Sequence, residues 1–561
     1  MQANLATKLA IVAAILAAAL SPSNAAEKWN MTGPAPHLVA HYIPWFSFGD
    51  STGWQGWTRS INSAKHDAKN HLPDGKRDIA SVCYPLIGPY SSTDHAVVRY
   101  HLATMKAAGI QGVFIDYQAE ERVKERTQVV FDEAAKLDMK VTICYEEKTN
   151  FIWPTFRNPS TREAAIQYGL DDMKYIATKY ATQPAFMRCN GQPMMFIWNG
   201  GGSGKLGPNY YTGDEWKSIL AQMPEKFVFG RGGLDPAWSA AFDFRYSWVS
   251  PYASANFGFD RGAAKLIGDG KAKFFISSMC PGFNDSPVWG WGVGPRIVER
   301  KGLSMLRATF DEAIKGNPEV IQLVTWNDFN EGTVIEPTRE AGFDNLDAIA
   351  AWTAKMRGVK ADPKAIRQPF LDYIAAATPE QKAELPAGKP SEWIASRGLK
   401  VEVPDYLHTL IKKRDPANLL YATNSLESWG CGFSYKNDTK ATVDGDYLRI
   451  DIGKVDDVFW HTHILQADIP LKEGQRYTLK FRAKADQTRP ILALLQTMGG
   501  NSGDWHMVGL DKTVDLTTEW QEFTIPFTAT KLIPDGSQFA FHMGQHTGSV
   551  WLADVTLKSG K

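Results

Sequence analysis

The chain has 561 residues, 44% of them hydrophobic, and its 61 basic and 61 acidic side chains cancel to a formal net charge of zero. That length exceeds one compact domain and predicts two or three folded units with large cores. The balanced charge removes the electrostatic case for nucleic acid or an anionic membrane as partner and points to a neutral ligand; 19 Trp, 19 Tyr and 28 Phe suit the flat C–H faces of sugar rings.

The first stretch, "MQANLATKLAIVAAILAAALSPSNAAEKW", sets one Lys before an apolar run from Leu9 to Leu20, then places Ser23 and Ala25 where a signal peptidase would cut. Residues 1–25 are therefore read as a signal peptide of a secreted or periplasmic protein. A dozen apolar residues are too few to span a bilayer, so no membrane insertion of the mature chain is expected.

From residue 26 to 357 strands and helices alternate. Strand-like runs fall at Leu38–Ile43, Gly112–Tyr117, Val141–Glu146, Met194–Trp198, Phe227–Gly230, Phe242–Ser247, Lys273–Ser278 and Val320–Thr325. Helical spacing separates them, at Ala96–Ala108, Val123–Leu137, Arg162–Tyr180 and Arg296–Ile314. Eight such units predict a (β/α)8 TIM barrel. A doubly wound open sheet is the alternative; against it, "HYIPWF" and no G-x-G-x-x-G follows the first strand.

Residues 358–416 carry short helical pieces broken by prolines and are expected to form a connector packed on the barrel. Residues 417–561 switch to period-two alternation ("QRYTLKFRAKAD", "WQEFTIPFTA", "SVWLADVTL"), which predicts an antiparallel β-sandwich of jelly-roll type. The five cysteines are scattered and odd in number, so neither a disulfide framework nor a CxxC metal site is indicated.

Active sites of barrels lie at the strands' C-terminal ends. Those ends offer Tyr42, Trp45, Asp116, Tyr117, Glu146, Trp198, Asn199, Trp248, Tyr252, Trp326 and Asn327, joined by Tyr84 from the stretch "YPLIGPYSSTD", as substrate-binding candidates. Asp328 and Glu331, three apart in "WNDFNEG", are the catalytic candidates, because glycoside hydrolysis needs one carboxyl group to protonate the leaving oxygen and another to act as base or nucleophile. A single carboxylate at a strand end is more often a helix cap or ion-pair partner. The aromatic and amide company of this pair favours chemistry, while Tyr42, Trp198 and Trp248 fit core and platform equally well.

No metal or other cofactor is expected. His37 and His41 flank a strand and stand roughly 13 Å apart, and the pair His461 and His463 has no evident third ligand. In the sandwich, Trp460, Trp505 and His506 lie in or beside loops as ligand candidates, and a domain that only braces the barrel is the competing reading.

"HYIPWF", "YPLIGPYSSTDHAVVRYHLATMKAAGIQGVFIDYQ", "KVTICYEE" and "WNDFNEGTVIEP" together resemble glycoside hydrolase family 99, the endo-α-mannosidases, and its relatives in family 71, the α-1,3-glucanases, over about residues 37–340. The C-terminal strands resemble jelly-roll carbohydrate-binding modules. The resemblance implies that Glu331 protonates the leaving group and that Glu146 binds substrate. It also places Asp328 where family 99 has a Glu that takes a proton from the sugar's 2-hydroxyl; family 71 has the same Asp-x-x-Glu spacing after "WN". The expected activity is endo-hydrolysis of α-linked mannan or glucan. A non-catalytic polysaccharide-binding protein that keeps the fold is the second reading, and a lyase or esterase is weaker, since no G-x-S-x-G elbow occurs.

Overall fold

The computed structural model describes residues 27–560 except 32–35, 50–52, 152–156, 158, 199–202, 250–258, 316–317, 358, 404–417, 421–428, 434–437, 445–446, 457, 467–468, 470, 498–504 and 534–535. The expected signal peptide, Asn199 and Tyr252 lie outside the described residues.

Eight parallel strands close into a barrel: β1 His37–Tyr42, β2 Gly112–Tyr117, β3 Lys140–Glu146, β4 Gln192–Trp198, β5 Val228–Gly232, β6 Phe244–Tyr246, β7 Phe274–Met279 and β8 Val320–Leu323. Closure is explicit in the register, since His37 of β1 faces Val320 of β8 and Val39 faces Gly112 of β2. The strands expected from Leu38, Val141, Met194, Phe227, Phe242, Lys273 and Val320 differ from these by one or two residues at one or both ends.

Period-two geometry sorts each strand's side chains into two layers. Val39, Phe114, Cys144, Phe196, Phe244, Phe274, Ile276 and Val320 form the apolar filling of the barrel. Gly230 is required there, because a Cβ would come within 2.2 Å of the Phe244 ring. The intervening residues (Leu38, Val113, Ile115, Ile143, Ile197, Ile321) face the helices in a second cluster.

The helices in that layer include α1 His95–Ala107, α2 Glu121–Lys136 and α3 Arg162–Lys179. Asp94 caps α1 by accepting from the amide N–H of Ala96 at 2.8 Å. The helix expected from Arg296 starts only at Ser304. Arg296 is diverted because its guanidinium and amide both donate to buried Asp285, and Ile297–Val298 pair antiparallel with Phe283–Asn284.

After the barrel, helix Pro363–Ala376 lays Ile366 and Phe370 into the same cluster as Tyr100 and Leu102, with Trp393 beside them. Arg77 reaches across to Glu384 at 2.7 Å. Further on, two antiparallel five-stranded sheets face each other around a separate core that includes Leu448, Leu479, Phe481, Leu495, Phe541 and Leu552. One sheet has the order 430–433, 462–466, 537–542, 489–497, 507–516, and the other 439–444, 447–452, 548–559, 476–485, 521–528. The molecule is thus a TIM barrel followed by an antiparallel β-sandwich. No described helix is long and apolar enough to cross a membrane.

Candidate active site

A cavity of about 990 Å³ opens at the C-terminal end of the barrel strands. Its position follows from the alternation in the barrel: Asp116 and Glu146 continue the inward rows of Phe114 and Cys144, and Trp198 that of Phe196. With Trp45, Trp248, Asp328 and Glu331 they line one space.

The loop after β8 is folded so that its polar residues divide between two directions. Phe329 packs among Phe46, Trp57 and Tyr90, and the Asn330 amide donates to the carbonyls of Gly56 and Ala80. Asp328 and Glu331 are left to the cavity. Within the loop, Asp328 Oδ1 accepts from the Glu331 amide at 3.0 Å. Thr325 and Thr333 bond to each other across the loop base, Gly332 takes φ +64°, and Arg300 donates to the carbonyls of Gly332 and Val334.

Five expected substrate contacts are corrected. Tyr42 and Tyr117 sit one residue out of phase with the inward rows and are buried in the helix-facing layer, where the Tyr42 hydroxyl meets His101 at 3.1 Å and Tyr117 packs on Tyr180. Tyr84 lies against Arg339 and accepts from the Arg77 amide. Trp326 is fully buried beside His101. Asn327 clamps the loop to the end of β1: its side chain accepts from Ile43 N–H, returns a bond to Ile43 C=O and donates to the Tyr90 hydroxyl. That hydroxyl donates to buried Glu336, which explains "IEP" as a structural anchor.

Sequence reading missed several lining residues, including Arg59, Gln118, Lys148 and Trp291. Gln118 continues the inward row two residues after Asp116, a signal that alternation carries. Gln118 donates to Glu146 at 3.0 Å, and Lys148 lies 5.8 Å from the Trp198 ring. Trp291 belongs to "VWGWGVG", where Trp289, Gly290 and Trp291 adopt φ of 48°, 58° and 54°. Holding two tryptophans in that left-handed region costs on the order of 1–3 kcal/mol each. The result is a Trp291 indole N–H that donates to Glu331 Oε1 at 2.9 Å.

Burial and mutual repulsion separate the carboxyl groups in acidity. Desolvation, then the Asp328 charge, push Glu331 up to about 8, against the Trp291 hydrogen bond. Asp328 is pushed by burial to about 6, held there by the amides of Glu331 and Asn330 and by the Arg59 charge. Burial carries Glu146 to about 7, and Asp116 is raised well above the carboxylate range by burial and by Glu146, to which it hydrogen-bonds. At neutral pH the cavity therefore holds Asp328 ionised beside protonated Glu331. Buried His41, packed edge-on under Trp248 at 4.6 Å, is pushed down to about 3 and stays neutral. Among the described residues no cluster of three or more His, Cys, Asp or Glu could hold a metal ion.

In the sandwich, Trp460 and Trp505 are 51% and 57% exposed. The His506 ring is tied to the Lys531 carbonyl at 2.7 Å. A separate hollow of about 200 Å³, lined by residues including Phe459, Leu492, Thr513 and His542, contains none of these three.

Residues 35–228 match the family model described as Glycosyl hydrolase family 99, and residues 420–549 that of a Carbohydrate binding domain. A human glycoprotein endo-alpha-1,2-mannosidase-like protein is 24% identical over 326 residues, 54% of this chain and 66% of that one. The glycoprotein endo-alpha-1,2-mannosidase of rat is 24% identical over 341 residues, 56% of this chain and 68% of that one. The chain thus spans about two thirds of the length of these relatives. The solved family 99 endo-alpha-mannosidase of Bacteroides thetaiotaomicron aligns over 58% of this chain and 99% of that one, with 20% identity and a TM-score of 0.46.

Proposed function

We propose, from the premise that this chain is a glycoside hydrolase family 99-like protein with a carbohydrate-binding-module-like domain, that it is an endo-acting hydrolase of α-linked mannan. The observation that carries this is the pairing of ionised Asp328 with protonated Glu331 in a tryptophan-lined cavity at the barrel mouth. Glu331 gives its proton to the leaving glycosidic oxygen as the C1–O bond breaks. Asp328 takes a proton either from the sugar's own 2-hydroxyl or from the attacking water, so one water is consumed per bond. Asp116, Gln118 and Glu146 offer hydrogen bonds to sugar hydroxyls, and Trp45, Trp198 and Trp248 offer apolar faces. The names of the mannosidase relatives favour mannose over glucose. Product sizing after incubation with α-mannans and α-glucans tests it: short oligosaccharides from mannan are expected, and an inert protein that still binds the polymer would leave the non-catalytic reading.

The acidities fix a pH window. Asp328 must be ionised and Glu331 protonated, so kcat/KM should rise through about 6, fall through about 8 and peak between. A profile flat from pH 5 to 9 would remove the pair from the reaction.

We also infer that the sandwich brings the enzyme to insoluble polymer, through the exposed Trp460 and Trp505, and that the Leu9–Leu20 segment directs export to the periplasm or medium. A chain ending after residue 403 should keep hydrolysis of soluble oligosaccharide and lose retention on insoluble mannan. One ending at Lys360 should instead be unstable, because it strips Phe370 and Trp393 from the barrel's apolar cluster. Thermal melting of both, with N-terminal sequencing of the exported protein, checks the two statements.

A further inference from the structure

Glu331 is tied twice to one loop that lies far from it in the chain. The Trp291 indole N–H donates to Glu331 Oε1 at 2.9 Å, and the Asn284 amide, where that loop begins, donates to the Glu331 carbonyl at 2.7 Å. The loop is also closed on itself. The Asp285 carbonyl accepts from the amides of Val288 and Gly290, the Asp285 carboxylate accepts from the amide and guanidinium of Arg296, and Phe283–Asn284 pair with Ile297–Val298. The Arg59 guanidinium, 5.4 Å from the centre of the Trp291 ring, braces the indole. The left-handed backbone of Trp289–Trp291 persists because these surroundings over-determine it, and its outcome is an indole fixed on one oxygen of Glu331.

An indole nitrogen can donate a hydrogen bond and cannot accept one. The oxygen it meets must therefore act as an acceptor whether Glu331 is protonated or not. That makes Oε1 the carbonyl oxygen of the neutral acid and leaves the proton on Oε2, which has no hydrogen-bond partner among the described residues. Once Glu331 gives up this proton, the new charge is shared by Oε1 and the bond from Trp291 becomes charge-assisted, hence stronger than before the transfer. A contact that strengthens along the reaction lowers the barrier, whereas one of constant strength would not.

We propose that Trp291 is the positioning residue of the general acid: by holding Oε1 as an acceptor, its N–H keeps the proton on Oε2 and presents that oxygen to the leaving glycosidic oxygen. In the step itself the Oε2–H bond breaks and its electron pair stays on Glu331, while the leaving oxygen keeps the C1–O pair and takes the proton. Trp291 touches no reacting atom and acts through Glu331. This rests on the glycosidase reading and deepens it by naming the group that decides which oxygen of Glu331 carries the proton.

Two substrates separate the parts: an α-1,2-linked mannotetraose, whose leaving sugar needs a proton, and α-mannobiosyl fluoride, whose fluoride departs without one. If the wild type cleaves neither, the glycosidase reading fails. With the wild type active, Trp291→Phe should lower the ratio of kcat/KM for tetraose to that for fluoride by about tenfold or more, because the acid is no longer held in place. The alkaline limb of the tetraose profile should also move upward, since a donor to the ionised Glu331 is lost. Replacement of Trp291 by benzothienylalanine, which keeps the fused ring and exchanges the N–H for sulfur, should do both and decides the matter if Trp291→Phe does not fold. An unchanged ratio in the benzothienyl variant, whether both activities are retained or fall together, overturns the proposal.

Discussion

Glu331→Gln is expected to reduce turnover on unactivated mannan oligosaccharide by roughly two orders of magnitude or more, while hydrolysis of a substrate with fluoride as leaving group, α-mannobiosyl fluoride, survives far better. Fluoride departs without a proton, so only the substrate that needs an acid should suffer. Near wild-type activity on the oligosaccharide would end the assignment of Glu331. The same variant should also be more stable than the wild type above neutral pH. Glu331 is raised from 4.5 to about 8 in the folded protein, so its contribution to stability is fully present below about 4.5 and is lost as the pH climbs through 8. Glutamine does not titrate, and the melting temperature of Glu331→Gln should fall less between pH 5 and 9.

Asp328→Asn is expected to lose about 10²–10⁴-fold on both substrates, because a proton acceptor is needed whatever group leaves. What it accepts from is read from the product. If Asp328 takes the sugar's 2-hydroxyl proton, a 2-deoxy substrate is nearly inert and the first-formed product keeps its anomeric configuration. If it activates water, removal of the 2-hydroxyl costs only lost hydrogen bonds and the product is inverted. Aspartate is one methylene shorter than the glutamate that the family 99 pattern places here, which leaves more room for a water. Inversion is therefore the expected outcome when the anomeric proton is followed by NMR in the first minutes, and retained product would assign the proton transfer to the 2-hydroxyl. The two variants together separate the roles: one loss depends on the leaving group, the other does not.

The sequence by itself determined the architecture, because both folds announce themselves through short-range periodicity. Apolar runs from Leu38 to Val320, separated by helical spacing, predict eight parallel strands; the alternation after Asn418 predicts sheets wet on one face. It also brought out Asp328 and Glu331, since two carboxylates beside Trp326 and Asn327 exceed what a surface turn requires. The strand phase that puts Asp116 and Glu146 in the cavity, and Tyr42 and Tyr117 outside it, is written in the sequence too, one residue apart.

Only the tertiary structure decided which neighbours of the pair meet the cavity. Asn327 and Trp326 look like substrate ligands in the sequence, yet they bind Ile43, Tyr90 and His101, contacts from segments more than two hundred residues earlier in the chain. Trp291 reaches Glu331 through a left-handed backbone that no local preference of tryptophan predicts. Arg59 lines the cavity only because its hairpin packs against the Trp289–Trp291 segment, which brings its guanidinium to 5.4 Å from the centre of the Trp291 ring. The acidities of Asp328 and Glu331 follow the same rule: they arise from burial and from charges brought close in space, and spacing along the chain carries neither.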